Sequence, residues 1–135
     1  MKPMLAMAAA AVWIAAAGAG LAERGMTVPL PDTSALSQAQ ARALIAELAQ
    51  VNVITSNCPD HAISDAEWTL ITATGDQLAA QLGLSAQDYD REYYGPAFQL
   101  LDDPGACDRI GPTAGPLIAR LKQMGGGTTP TDHPQ

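Results

Sequence analysis

The sequence predicts a small all-α domain of four to five helices, closed by one disulfide and preceded by a signal peptide. Three observations lead there. Apolar residues recur at steps of three and four through two long stretches. Both stretches open on a serine followed three residues later by Gln or Glu, the pattern of a helix capping box. No alternating run leads through a two-residue turn into a second one, so no strand pair is expected.

The first helix is expected to begin at Ser37, where Ser37-Gln38-Ala39-Gln40 has the capping form. Ala41, Leu44, Leu48 and Val51 then mark one face, widened by Ile45 and Ala49. The β-branched stretch 51–55 favours an early end, and Pro59 puts Cys58 in a loop. The second helix opens on Ser64-Asp65-Ala66-Glu67, with Ile63 placed for a hydrophobic staple. Trp68, Ile71, Gly75, Leu78 and Leu82 should form its continuous apolar face, with Gly75 admitting another backbone. Gly83 is the expected left-handed stop, with Leu84 folding back.

Ser85 starts a third helix bearing Tyr89 and Tyr93. Gly95-Pro96 should divide it, Pro96 opening a new segment with Phe98 and Leu101. Gly111-Pro112 and Gly115-Pro116 should break the chain again. Pro116 then opens a last helix through Leu117, Ile118, Leu121 and Met124, which Gly125-Gly126-Gly127 stops. The expected organisation is a signal peptide at 1–22, an extended lead-in at 23–36, a helical domain at 37–125 and a flexible tail at 126–135.

The signal is read from Met1-Lys2-Pro3-Met4, an uncharged apolar run from Leu5 to Ala17, and small residues suited to cleavage after Ala19 or Ala22. An uncleaved anchor is the alternative, yet the run is short and mostly Ala and Gly, which insert weakly. Cleavage leaves a periplasmic or secreted domain without stable membrane insertion. The chain has 135 residues, 47% hydrophobic and 16% charged, with 14 acidic against 7 basic groups. That suits one domain. The net charge of -7 argues against nucleic acid and against anionic lipid headgroups.

Cys58 and Cys107 are the only cysteines. In an oxidising compartment an even pair is most simply one disulfide. The loop it closes would stabilise the domain by roughly 4 kcal/mol through chain entropy. The same sulfurs with His61 could begin a zinc site, but a fourth ligand is missing. Neither a thiol-exchange nor a haem-attachment motif is present. His61 has no nucleophile partner in sequence, and the motifs of serine hydrolases, phosphate-binding loops and zinc proteases are absent. The expectation is therefore no cofactor, no metal and no catalytic residue.

The densest polar-aromatic stretch runs from Asp88 to Tyr94. Four of the five large aromatic residues left after signal cleavage lie between Tyr89 and Phe98. Arg91, Tyr93, Tyr94 and Phe98 are the candidate interaction residues, because aromatic and Arg side chains concentrate binding energy. Core packing of these rings is the competing expectation.

Residues 63–68 (Ile-Ser-Asp-Ala-Glu-Trp), 93–98 (Tyr-Tyr-Gly-Pro-Ala-Phe) and 107–112 (Cys-Asp-Arg-Ile-Gly-Pro) resemble a family of small exported bacterial proteins, a domain of unknown function covering about half the chain. That resemblance implies a fold and an export route but no activity. In architecture alone the chain is also similar to the periplasmic acid-stress chaperones, which are small, helical and cross-linked by one disulfide. Lys122, the only lysine left after cleavage, departs from their lysine-rich character. The functional expectation is a binding or accessory module of the bacterial envelope, whose partner is an envelope protein or a small ligand. The alternatives are an acid-stress chaperone and then a small enzyme with an acid/His site.

Overall fold

In the computed structural model, which describes residues 25–131, helix α1 spans Gln38–Asn57. Its capping box closes in both directions: the Gln40 N–H donates to the Ser37 hydroxyl at 3.1 Å, and the Gln40 side chain accepts the Ser37 N–H at 2.9 Å. The β-branched stretch 51–55 does not end the helix early. Val51, Val53 and Ile54 are all at most 3% exposed, and burying such side chains outweighs a propensity cost of about half a kcal/mol each. Thr55 is satisfied in place by donating to the Val51 carbonyl at 2.7 Å.

A single 3-10 turn, Pro59–His61, leads to helix α2 at Asp65–Gln81. Ser64 and Glu67 form the second reciprocal box. The C-terminus closes as expected: Gly83 takes φ 69°, Gly83 donates to the Ala80 carbonyl, and Leu84 donates back to Ala79 at 2.9 Å. That pair of bonds is the Schellman arrangement. Ile71, Gly75 and Leu78 are buried, but Trp68 is 46% exposed and does not belong to the core. Leu70 and Thr74 fill the face instead, and Thr74 donates to the Leu70 carbonyl.

The chain stays helical from 86 to 102. Helix α3 (Ala86–Tyr89) passes into a π turn (Asp90–Tyr94), then helix α4 (Gly95–Gln99) and a 3-10 turn (Leu100–Asp102). The expected division at Gly95-Pro96 is replaced by a change of winding. Proline has no N–H to donate and its ring crowds the carbonyl four residues back. The wider π turn accommodates this, with the Gly95 N–H reaching back five residues to the Asp90 carbonyl.

A second uninterrupted run covers 106–123: helix α5 (Ala106–Ile110), a 3-10 turn (Gly111–Thr113) and helix α6 (Ala114–Gln123). The Gly-Pro pairs therefore do not break it. Pro116 lies in the first turn of α6, where N–H groups lack partners in the helix anyway.

The main core joins Leu44, Ile45, Leu48 and Val51 of α1 to Leu70, Ile71 and Leu78 of α2 and Leu117, Ile118 and Leu121 of α6. A smaller cluster of Ala49, Val53 and Ala97 seats α4 on α1. A third joins Ile54, Cys58 and Ala106 beside the Cys58–Cys107 disulfide. The domain is thus all-α with one disulfide. No strand occurs among the described residues, and no helix there is long and apolar enough to cross a membrane. The expected signal peptide lies outside the described residues.

The expected tail is docked over its first part. Asp32 donates to the Met124 carbonyl, Gly127 to Pro29 and Thr131 to Thr27, so lead-in and tail run antiparallel. Gln77 and Gln81 of α2 anchor the lead-in by donating to the Pro31 and Thr33 carbonyls at 2.9 and 3.0 Å. Gly127 and Thr131 partner backbone groups that the extended lead-in leaves open.

Candidate interaction surface

Asn52, on the C-terminal half of α1, joins the two aromatic regions. Its side-chain carbonyl accepts the Trp68 indole N–H at 2.9 Å, and its amide donates to the Tyr94 hydroxyl at 2.9 Å. Ser56, one turn along α1, adds a third bond to the same carbonyl at 3.2 Å. A single amide therefore holds a ring from α2 and a ring from the π turn at fixed positions beside α1. The Trp68 indole remains at the surface because its polar edge finds this partner outside the apolar core.

From Tyr94 the rings continue along the third run. The Tyr94 and Phe98 centroids are 6.4 Å apart and tilted by 38°. Phe98 is 53% exposed and Leu101, one turn on, is 40% exposed. Tyr94 is half-buried, with its inner face on the Ala49, Val53 and Ala97 cluster. Tyr93 is also half-buried and packs on both clusters. Of the four candidate residues, the structure brings Tyr94 and Phe98 into one strip and gives Tyr93 mainly a packing role. Arg91 is exposed and engaged by Asp88 at 2.6 Å.

Trp68 and Asn52 are members of the strip that sequence reasoning missed. A signal for Asn52 existed: a carboxamide set between Val51 and Val53, inside an apolar stretch. The signal for Trp68 is weaker, a ring flanked by Asp65, Glu67 and Thr69.

Beneath the strip, the Tyr89 ring lies tilted at 5.1 Å from Tyr94 and edge-on at 6.3 Å from Tyr93. Its hydroxyl is buried with no hydrogen-bond partner among the described residues. Burial pushes this phenol well above its ordinary range, and Tyr94 and Asp76 add to the shift. The hydroxyl occupies the notch left by Gly75: a Cβ built there would lie 2.3 Å from the oxygen. Gly75 thus admits a ring rather than the backbone the sequence led us to expect.

Two other polar sites were candidates. His61 lies against Gly111, whose added Cβ would fall 2.2 Å from the imidazole, and faces Asp108 at 3.3 Å. The adjacent cysteines are joined, with Cα atoms 5.8 Å apart, so neither sulfur is free as a zinc thiolate. Among the described residues no group of three or more His, Cys, Asp or Glu side chains is placed to hold a metal. Elsewhere, a groove of about 330 Å³ lies between α1 and α6, lined by Leu36, Ala43, Leu44 and Met124 beside the Glu47–Arg120 ion pair. No histidine lines it, so His61 and the groove do not make one concave site.

No protein-family model matches the chain, and no curated protein or solved structure matches it significantly.

Proposed function

We propose that the chain is a small exported binding or accessory module of the bacterial cell envelope that engages its partner through Trp68, Tyr94 and Phe98. One observation carries this reading. In a domain short of aromatic residues, Trp68 and Phe98 stand 46% and 53% exposed, while Asn52 anchors both Trp68 and Tyr94. Large rings held stiffly at a surface provide contact area at little entropic cost, the property of binding hot spots. An acid-activated chaperone would keep such surface covered near neutral pH, so the standing exposure favours a constitutive binding surface. Export is supported by the N-terminal pattern and by the disulfide.

The test is cross-linking in an envelope fraction, comparing the wild-type chain with Phe98→Ser. Phe98 is the better probe than Tyr94, whose ring and hydroxyl also hold the fold. The expected result is loss of one defined cross-linked species with the melting temperature nearly unchanged. Retention of that species in Phe98→Ser rejects the strip as the binding surface. Export is tested separately by fusing residues 1–22 to a reporter active only outside the cytoplasm.

A further inference from the structure

The strip also carries information on the chemistry of its partner. Asp90, Tyr94, Phe98 and Asp102 follow one another at steps of four along one helical run. Tyr94 and Phe98 share one side of that run, their centroids 6.4 Å apart. Asp90 precedes them across the π turn and Asp102 follows them across the 3-10 turn, at the ends of the run and outside that register. Two rings therefore occupy the middle, with Leu101 beside Phe98, and a carboxylate stands at each end. On α2, Asp65 lies one turn before Trp68 and repeats the pairing of ring and acid.

Four acids of the described residues are committed to a cation, and those beside the strip are not among them. Asp88 is paired with Arg91, Asp103 with Arg109, Glu47 with Arg120, and Asp108 faces His61. Asp65, Asp90 and Asp102 are exposed, and among the described residues no cation lies within ion-pair distance of them, as is also true of Asp32, Asp60, Glu67, Asp76 and Glu92. An apolar centre flanked by uncommitted carboxylates is complementary to an apolar segment flanked by cations. Cations on such a segment also gain from the ring faces, above all from an indole.

Resting on the binding-module reading, we infer that the strip receives a cationic amphipathic helix of a partner protein, with Leu-like residues on Phe98, Leu101 and Trp68 and Lys or Arg near Asp65, Asp90 and Asp102. Charge at the rim steers encounter and selects the partner, while the rings hold it.

The experiment uses a labelled synthetic peptide of lysines and leucines in helical alternation, its glutamate-leucine counterpart, and fluorescence anisotropy. The lysine peptide should bind the full chain and the glutamate peptide should not. Phe98→Ser should weaken binding by at least about tenfold, as expected for a central apolar anchor. Asp90→Asn with Asp102→Asn should weaken it by about threefold at low salt, within the range of exposed ion pairs, and flatten its salt dependence. Asp32→Asn, on the lead-in, should leave binding unchanged. Equal weakening by Asp32→Asn overturns the inference, because binding then follows net charge alone. Equal binding of both peptides, or of the peptide to the double Asn variant, also overturns the cationic partner. In that case a Phe98-dependent cross-link in the envelope fraction would leave the binding surface standing. Concentration-dependent self-association lost in Phe98→Ser would instead identify a second copy as the occupant.

Discussion

Helix α2 ends at both sides on signals a few residues long, whereas the run at 86–102 contains a Gly-Pro pair that should end it and does not. Ser64 and Glu67 close one end of α2, and Gly83 with Leu84 closes the other. These bonds satisfy groups that the helix itself leaves open, so the local residues suffice. At Gly95-Pro96 the local preference is overruled. Ala97 is 1% exposed against α1, and the Tyr94 hydroxyl is held by Asn52. The chain keeps those contacts by widening one turn. A cap is a local bond; a break is a preference that tertiary packing can outbid.

The largest effect should come from the longest-range constraint. Cys58→Ser with Cys107→Ser should lower stability by about 4 kcal/mol, since the bridge closes a loop with sequence separation 49. Denaturant unfolding of the oxidised and double-Ser proteins measures it. A change below about 1 kcal/mol would mean that the packing beside Ile54 and Ala106 already secures the run at 106–123.

The next prediction sets local propensity directly against a tertiary contact. Gly75→Ala favours the helix, yet its methyl would meet the Tyr89 hydroxyl, so the net effect should be a loss of about 1–2 kcal/mol. Tyr89→Phe removes a buried hydroxyl that has no hydrogen-bond partner among the described residues and should gain about 1 kcal/mol. It leaves the ring carbon at 3.6 Å from the new methyl, an ordinary contact. In the Tyr89→Phe background Gly75→Ala should therefore turn stabilising. Additive effects in this cycle would sink the steric account.

Ser64→Ala tests the local side of the comparison and should cost about 1 kcal/mol, as a lost cap does. Thermal unfolding is sufficient to see it. A cost several times larger would show that the cap also positions Trp68.

The smallest effects concern pH. The Gly105 N–H and then Arg109 hold the Asp103 carboxyl below its ordinary value, and Ser34 does the same for Asp32. Burial raises Asp76. A carboxyl with a depressed folded value contributes stability at neutral pH and loses it as pH falls through that value. Asp76 acts in the opposite sense, since acidification through its raised value favours the folded state. Carboxyl carbon titration by NMR should place Asp76 above the ordinary aspartate value and Asp103 and Asp32 below it. The reverse order would remove these hydrogen bonds from the account.

By itself the sequence determined the helical class, the starts of α1 and α2, the left-handed stop at Gly83 and the pairing of the only two cysteines. Each follows from bonds or periodicities spanning a few residues, or from a pairing with one solution. It also concentrated the aromatic residues near Tyr94, which sufficed to nominate a surface. Only the tertiary structure decided which rings face solvent. Trp68 has the spacing of a core residue, but Asn52, sixteen positions earlier, takes its indole N–H and keeps it outside. Tyr93 and Tyr94 are neighbours of identical chemistry, yet Asn52 holds only the second. The same holds for the docked residues 126–131, whose partners lie about a hundred positions away. Long-range partners leave no period in the sequence, because the contact exists only once the helices have packed.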